Sequence, residues 1–373
     1  SDPNSLIDLS HLVSMQGGGV DFWGTAYYLT IGASGNGTVL LSGAIAGYAT
    51  LSVADAGSTL DVSAVTSLAD TSVDVSNGGV MNFASLTELA RTNLSATSGG
   101  QLLFPLATDY IDGVAANYSI QASDPNSLID LSHLVSMQGG GVDFWGTAYY
   151  LTIGASEGGS VALSGAISGY NALTLTDVGS TLDVSGVTSL QGTTLTSTAS
   201  LSFASLTEIA DSSVTAQGAT LAFSAVTSLA RTSLSATSGG QLLFPLATDY
   251  IDGVAANYSI QASDPNSLID LSHLVSMQGG GVDFWGTAYY LTIGASGNGT
   301  VLLSGAIAGY ATLSVADAGS TLDVSAVTSL ADTSVDVSNG GVMNFASLTE
   351  LARTNLSATS GGQLLFPLAT DYI

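Results

Sequence analysis

Apolar and polar residues alternate along this chain in short runs. Leu51-Ser-Val53, Leu60-Asp-Val62 and Val65-Thr-Ser-Leu68 are one such set, separated by Gly and Ser. Apolar residues two apart lie on one face of an extended backbone, with the residue between them on the other face. Runs this short suit strands, and no sustained 3.6-residue periodicity argues for a helix. The set then recurs. Val73-Asp-Val75, Met81-Asn-Phe83 and Leu86-Thr-Glu-Leu89 form the next one. Leu94-Ser-Ala96, Leu102-Leu-Phe104 and a looser Leu106-Ala-Thr-Asp-Tyr110 follow. Units start at 29, 51, 73, 94, 120, 151, 173, 195, 214, 234, 260, 291, 313, 335 and 356.

Three short strands per unit with small residues at the corners predict an all-β fold, a right-handed parallel β-helix. Most coils have 19–22 residues, and each block has two longer ones of 26 and 31. Stacked at about 4.8 Å, the coils would pair each backbone group with its neighbours above and below and give a rod of about 75 Å. The last position of the second strand should form an inward column: Val62, Phe83, Phe104, Val184, Phe203, Phe223, Phe244, Val324, Phe345 and Phe366. A leucine-rich-repeat-like solenoid is the alternative, because residues 85–94 have a similar cadence. They lack its regular Asn/Cys position and a helix-forming convex side.

A longer repeat overlies the coils. Residues 1–111 recur unchanged as 263–373, and a related block begins at 123. One continuous solenoid over 1–373 is expected, in blocks 1–122, 123–262 (with one extra coil) and 263–373. The first and last coils are incomplete and no polar cap is visible, so the chain reads as a window on a longer array.

Charge narrows the function. The chain has 29 acidic residues against three basic ones, all Arg, for a net charge of −26. So few cations cannot neutralise a phosphate track or an anionic bilayer, which excludes nucleic-acid and electrostatic membrane partners. Without cysteine there is no disulfide or thiolate chemistry. Mean hydropathy is positive, +0.43, but the uncharged stretch 27–54 is broken by Gly35-Asn36-Gly37 and Ser42-Gly43. That pattern does not read as a membrane-spanning helix.

These Gly/Ser/Thr-rich, Lys-free, Cys-free coils resemble the repetitive β-helical stalks of large bacterial surface proteins, the filamentous-haemagglutinin-like adhesins. The resemblance covers the whole chain by repeat style. It implies a secreted, extended, structural role at the bacterial cell surface, and no site residue carries over from it.

Few residues suggest chemistry. Arg91, Arg231 and Arg353 are expected on an outer face, each between carboxylates one coil before and after: Asp70 and Asp109, Asp211 and Asp249, Asp332 and Asp371. The thrice-repeated arrangement reads as a structural ion-pair ladder, not a catalytic arginine. His11, His133 and His273 repeat one isolated position, too sparse for a metal site. Asp55, Asp61 and Asp74 are weak calcium candidates, since calcium wants six to eight oxygens and each corner supplies one Asp. No catalytic set emerges and no cofactor beyond calcium suggests itself.

The 31-residue coil is the informative one. It inserts residues 16–28, repeated at 138–150 and 278–290, and holds every tryptophan. Phe22, Trp23, Tyr27 and Tyr28 recur as Phe144, Trp145, Tyr149 and Tyr150, and as Phe284, Trp285, Tyr289 and Tyr290. Two readings stand side by side: a protruding aromatic loop that contacts carbohydrate or another copy of the chain, or a loop folded back to bury its rings. The expected function is an extracellular fibre or adhesin stalk that assembles with copies of itself and is not an enzyme. The alternatives are a polysaccharide-binding or polysaccharide-degrading β-helix and a mineral- or calcium-associated matrix protein.

Overall fold

The computed structural model describes every residue except Ser1, Val20, Gly24 and Ala26. The described residues form strands and no helix, so none of them lies in a helix long and apolar enough to cross a membrane. This leaves the β-helix reading standing over the leucine-rich-repeat-like one. The chain divides into two compact units, Ser1–Thr188 and Ser189–Ile373. Each is a β-solenoid built from coils of short strands in parallel pairing.

In the first unit, Ile31, Leu51, Val73, Leu94, Ile120 and Ile153 form one column, each paired with the next. In the second, Leu195, Val214, Leu234, Ile260, Ile293, Leu313, Val335 and Leu356 do the same. The coil period read from the sequence is therefore the pairing register. One detail differs. The phrases at 29, 151 and 291 enter the column through Ile31, Ile153 and Ile293, two residues later. In the second and third copies both residues are buried on the face that their shared parity gives them, whereas Leu29 in the first is exposed. Alternation gives the face, and only pairing gives the position along it.

Some coils do not break into three separate strands. Thr38–Val53 and Thr59–Val75 each run 16 and 17 residues around the corners as one bent strand. Their mutual register slips between Leu40 and Ser42, between Gly43 and Ala44, and between Ala46 and Ala49. Bulges of this kind turn a strand while keeping its ladder on both sides of the bend.

The inward columns are apolar and almost fully closed to solvent. Phe83 and Phe104 stack with centroids 5.0 Å apart and planes 8° from parallel. Phe203, Phe223 and Phe244 continue the arrangement at 4.9 and 4.6 Å, and Phe345 and Phe366 at 4.9 Å. These separations match the distance between paired strands, so the backbone ladder dictates the stacking. The tyrosine hydroxyls that enter the core are bonded. The Tyr110 hydroxyl donates to the Thr92 carbonyl at 2.8 Å, and Tyr250 does the same to Thr232 at 2.7 Å.

Phe223 touches a ring on either side. Phe223→Ala is expected to lower stability by about 3–5 kcal/mol, since the coils above and below cannot close over the gap. Urea denaturation measures this, and Val178→Ala, at an 88% exposed position, should shift the midpoint little.

Candidate functional site

The long coil projects a small hairpin. In the second copy, Val142 and Ala148 pair antiparallel, and Asp143 N–H donates to the Thr147 carbonyl at 3.0 Å. Gly146 N–H donates to the Asp143 carbonyl at 3.0 Å. The loop is thus Phe144-Trp145-Gly146, closed by a four-residue turn whose last residue has φ +81°. That is the three-residue hairpin with a left-handed glycine. A Cβ on Gly146 would meet nothing within 4 Å, so its backbone conformation and not space calls for glycine. At the base, Gly140 has the opposite reason, because a Cβ there would collide with the Tyr149 carbonyl.

Asp143 locks the turn from inside. Its Oδ1 accepts Trp145 N–H at 2.9 Å and Thr147 N–H at 2.8 Å. These bonds, that from Thr147 foremost, hold its carboxyl below the usual carboxylate range. Asp21 and Asp283 make the same two bonds in the other copies.

With its backbone satisfied in this way, the hairpin holds its rings outward. Phe22, Trp23, Phe144, Trp145, Phe284 and Trp285 are between 85% and 94% exposed. Within each pair the rings meet edge to face, 5.3 Å apart. The Phe–Trp tips thus protrude from the coil. The tyrosines divide. Tyr27 is exposed and Tyr149 and Tyr289 are half-buried along the hairpin stem. Tyr28, Tyr150 and Tyr290 turn back onto the solenoid and meet Tyr48, Tyr170 and Tyr310 edge to face at 5.6, 5.8 and 5.7 Å. The sequence reading missed these second tyrosines. Their signal was a Gly-Tyr dipeptide 19 and 20 residues after each Tyr28-type position, where the coil carries one residue more than its neighbour.

The arginine ladder holds on one side and needs correcting on the other. Arg91 Nε and Nη2 grip Asp70 Oδ1 and Oδ2 at 2.6 and 2.9 Å. Arg231 holds Asp211, and Arg353 holds Asp332, by the same two-toothed bond. All six residues have left-handed φ, between 46° and 56°. The paired side chains fill an outer corner where glycine would otherwise be expected.

Asp109, Asp249 and Asp371, however, are not the second neighbours. They pair with Glu88, Ser228 and Glu350. Asp109 instead accepts the Ser136 and Thr108 hydroxyls at 2.6 and 2.7 Å, and the first of these leads in holding its carboxyl low. The reason is that Tyr110, not the preceding Leu106, takes the inward place above Leu89. Arg91 and Asp112 each follow the Ala90–Ile111 pair by one residue, and the Asp112 charge acts on the Arg91 guanidinium.

Asp112 and its copy Asp252 are only 2% exposed, and the Oδ2 atom of each has no hydrogen-bond partner. Burial pushes the Asp112 carboxyl up to about 6, with the Val114 N–H and the Arg91 charge opposing. Asp252 moves in the same direction for the same first cause.

The calcium candidates lie apart. Asp55 accepts Gly35 and Gly57 N–H at 2.9 and 3.0 Å, and Asp61 accepts Ser63 N–H at 3.0 Å. Both serve turns. Asp74 is half-buried, and burial raises its carboxyl against a bond from Ser72. Asn77, in the next coil, donates to the Ala54 carbonyl at 3.0 Å. No group of three or more acids or histidines that could hold a metal occurs among the described residues. The three histidines are exposed, each beside a serine hydroxyl.

The buried aspartates make a pH prediction. The folded state holds protons on Asp112 and Asp252 more tightly than the unfolded chain, so their contribution favours folding in acid and is lost as pH rises, for Asp112 through about 6. The melting temperature of the wild type should therefore rise between pH 7 and pH 5. In the Asp112→Asn/Asp252→Asn variant most of that rise should vanish; an equal rise would contradict it.

The chain matches no protein-family model, and neither the curated proteins nor the solved structures contain a significant match to it.

Proposed function

We propose that this chain is a structural, non-enzymatic segment of an extracellular fibre or stalk, of the bacterial adhesin type its coils resemble. In this reading it associates laterally with copies of itself through the Phe–Trp hairpin tips. The observation that carries the reading is the exposure of Phe144 and Trp145, on a hairpin whose own hydrogen bonds keep the rings in water. Burying such a ring in a partner is worth about 1.5–3 kcal/mol. Tyr and Trp are favoured interface anchors.

Repetition supports the reading. Five pairing steps separate Ile31 from Ile153 in the first unit, which sets the first two hairpin bases about 24 Å apart along the coil stack. Weak contacts repeated at a fixed spacing gain avidity when two copies align. The −26 charge opposes association everywhere else, so contact through the tips would be selective and would strengthen as salt screens the repulsion.

Sedimentation velocity tests this. The wild type should shift to larger species with rising concentration, more strongly at about 0.5 M salt than at low salt. The six-site variant with Ser at Phe22, Trp23, Phe144, Trp145, Phe284 and Trp285 should stay monomeric with unchanged circular dichroism. Equal assembly of the two proteins, or none in either, would overturn the proposal.

A further inference from the structure

Two of the tyrosine pairs that the hairpins hand back to the solenoid, Tyr28–Tyr48 and Tyr290–Tyr310, open onto a pocket. In the first unit it measures about 240 Å³ and is walled by Tyr28, Tyr48 and Tyr118, with Asp70, Ser72 and Asn93 among its polar lining. In the second unit the counterparts of Tyr28, Tyr48, Asp70, Ser72 and Asn93, namely Tyr290, Tyr310, Asp332, Ser334 and Asn355, line a pocket of about 310 Å³ together with Arg353, without a third tyrosine. The volumes lie at the small end of ligand pockets and suit a single ring, not an extended drug-sized molecule.

The pocket's chemistry is specific. Tyr28 stands at 89° to Tyr48, so the pair offers a fixed aromatic wall with hydroxyls at its rim. Asp70 is held by both teeth of Arg91, which fixes the carboxylate in place and neutralises it. Arg91 still has N–H donors beyond the two it spends there. Asn93 Oδ1 accepts Ser119 N–H at 2.8 Å, and its NH2 carries two donors more. An aromatic wall faces rigid donors and acceptors of no net charge. That arrangement fits a ring with an apolar face and a hydroxyl edge.

We propose that this pocket, in both copies, binds one ring of a neutral polysaccharide. The C–H face of the sugar lies on the tyrosines, and its hydroxyls bond Asp70 and Asn93, or Asp332, Asn355 and Arg353 in the second copy. Neutrality follows from the surroundings. The ion pair leaves the pocket uncharged, while the −26 chain repels polyanions such as uronate chains or nucleic acids. The site is separate from the hairpin tips and does not depend on self-association.

Affinity electrophoresis of the full chain tests it, through gels containing dextran, galactomannan or xyloglucan, with alginate as the anionic comparison. At least one neutral polysaccharide should retard the wild type, and alginate should not. Tyr48→Ala/Tyr310→Ala should weaken the apparent affinity roughly tenfold, the equivalent of about 1.4 kcal/mol, while Tyr48→Phe/Tyr310→Phe keeps most of it. The variant with Ser at Trp23, Trp145 and Trp285 should be retarded like the wild type. Circular dichroism melts check that each variant is folded. Retardation by none of the neutral polymers, equal retardation by alginate, or retardation unchanged by the folded alanine variant would overturn the proposal.

Discussion

Each coil completes its backbone hydrogen bonding only through the coils next to it. A strand of three residues, such as Val80–Asn82 or Gln101–Leu103, has no stability of its own. Paired in parallel with its equivalents, it becomes one rung of a ladder whose spacing is set by the peptide groups. That ladder then imposes a rule on the side chains, because every residue stands within reach of the residue at the same position one coil away. Apolar residues gain from the rule, and the phenylalanine columns follow directly from it. Carboxylates lose by it, since like charges placed opposite each other repel.

The distribution of charge follows from that constraint. Where acids do meet across coils, as Glu88 meets Asp109, Asp109 is held by two hydroxyls. The arginines interrupt the acidic columns at the corners, and each takes one carboxylate from the preceding coil. At side-chain exposures of 31% and 34%, such a pair adds on the order of 0–1 kcal/mol. Its larger role is to hold an aspartate in one place beside the tyrosine pocket. Asp112 pays the opposite electrostatic penalty. It is enclosed with one oxygen unbonded, and burial favours its protonated form. The large net charge is therefore several populations of acid with different surroundings.

Much of the fold was legible in the sequence because a solenoid turns local pattern into global structure. Leu51, Val73 and Leu94 announce a column by their spacing alone, and Phe83 and Phe104 announce the stack inside it. Two things were not legible. Parity could not distinguish Leu29 from Ile31 as the column residue, since residues two apart lie on the same face of a strand. Nor could a strict coil template tell Asp109 from Asp112 as the acid one coil after Arg91, because the coil containing them departs from the Leu-Thr-Glu-Leu phrase and puts Tyr110 in the inward place. At the candidate sites, Phe144 and Trp145 were recognisable as an insertion the coil did not need. Their exposure depended on the turn formed by Asp143 and Gly146, a matter of backbone geometry and not of composition. The Tyr28–Tyr48 pairing escaped notice because its members belong to successive coils and meet only once the chain has wound around.

The stacked ladder carries the stability, and the aromatic hairpins stand outside it. Amide hydrogen exchange followed by mass spectrometry tests this most directly. The account predicts slow exchange with a shared, near-global protection across inner strands such as Tyr118–Ser123, Ser213–Gln217 and Ser233–Thr237, and fast exchange at Phe144 and Phe284, whose rings stand in water at the hairpin tips. Uniform protection that includes the hairpin tips, or rapid exchange throughout the inner strands, would contradict it.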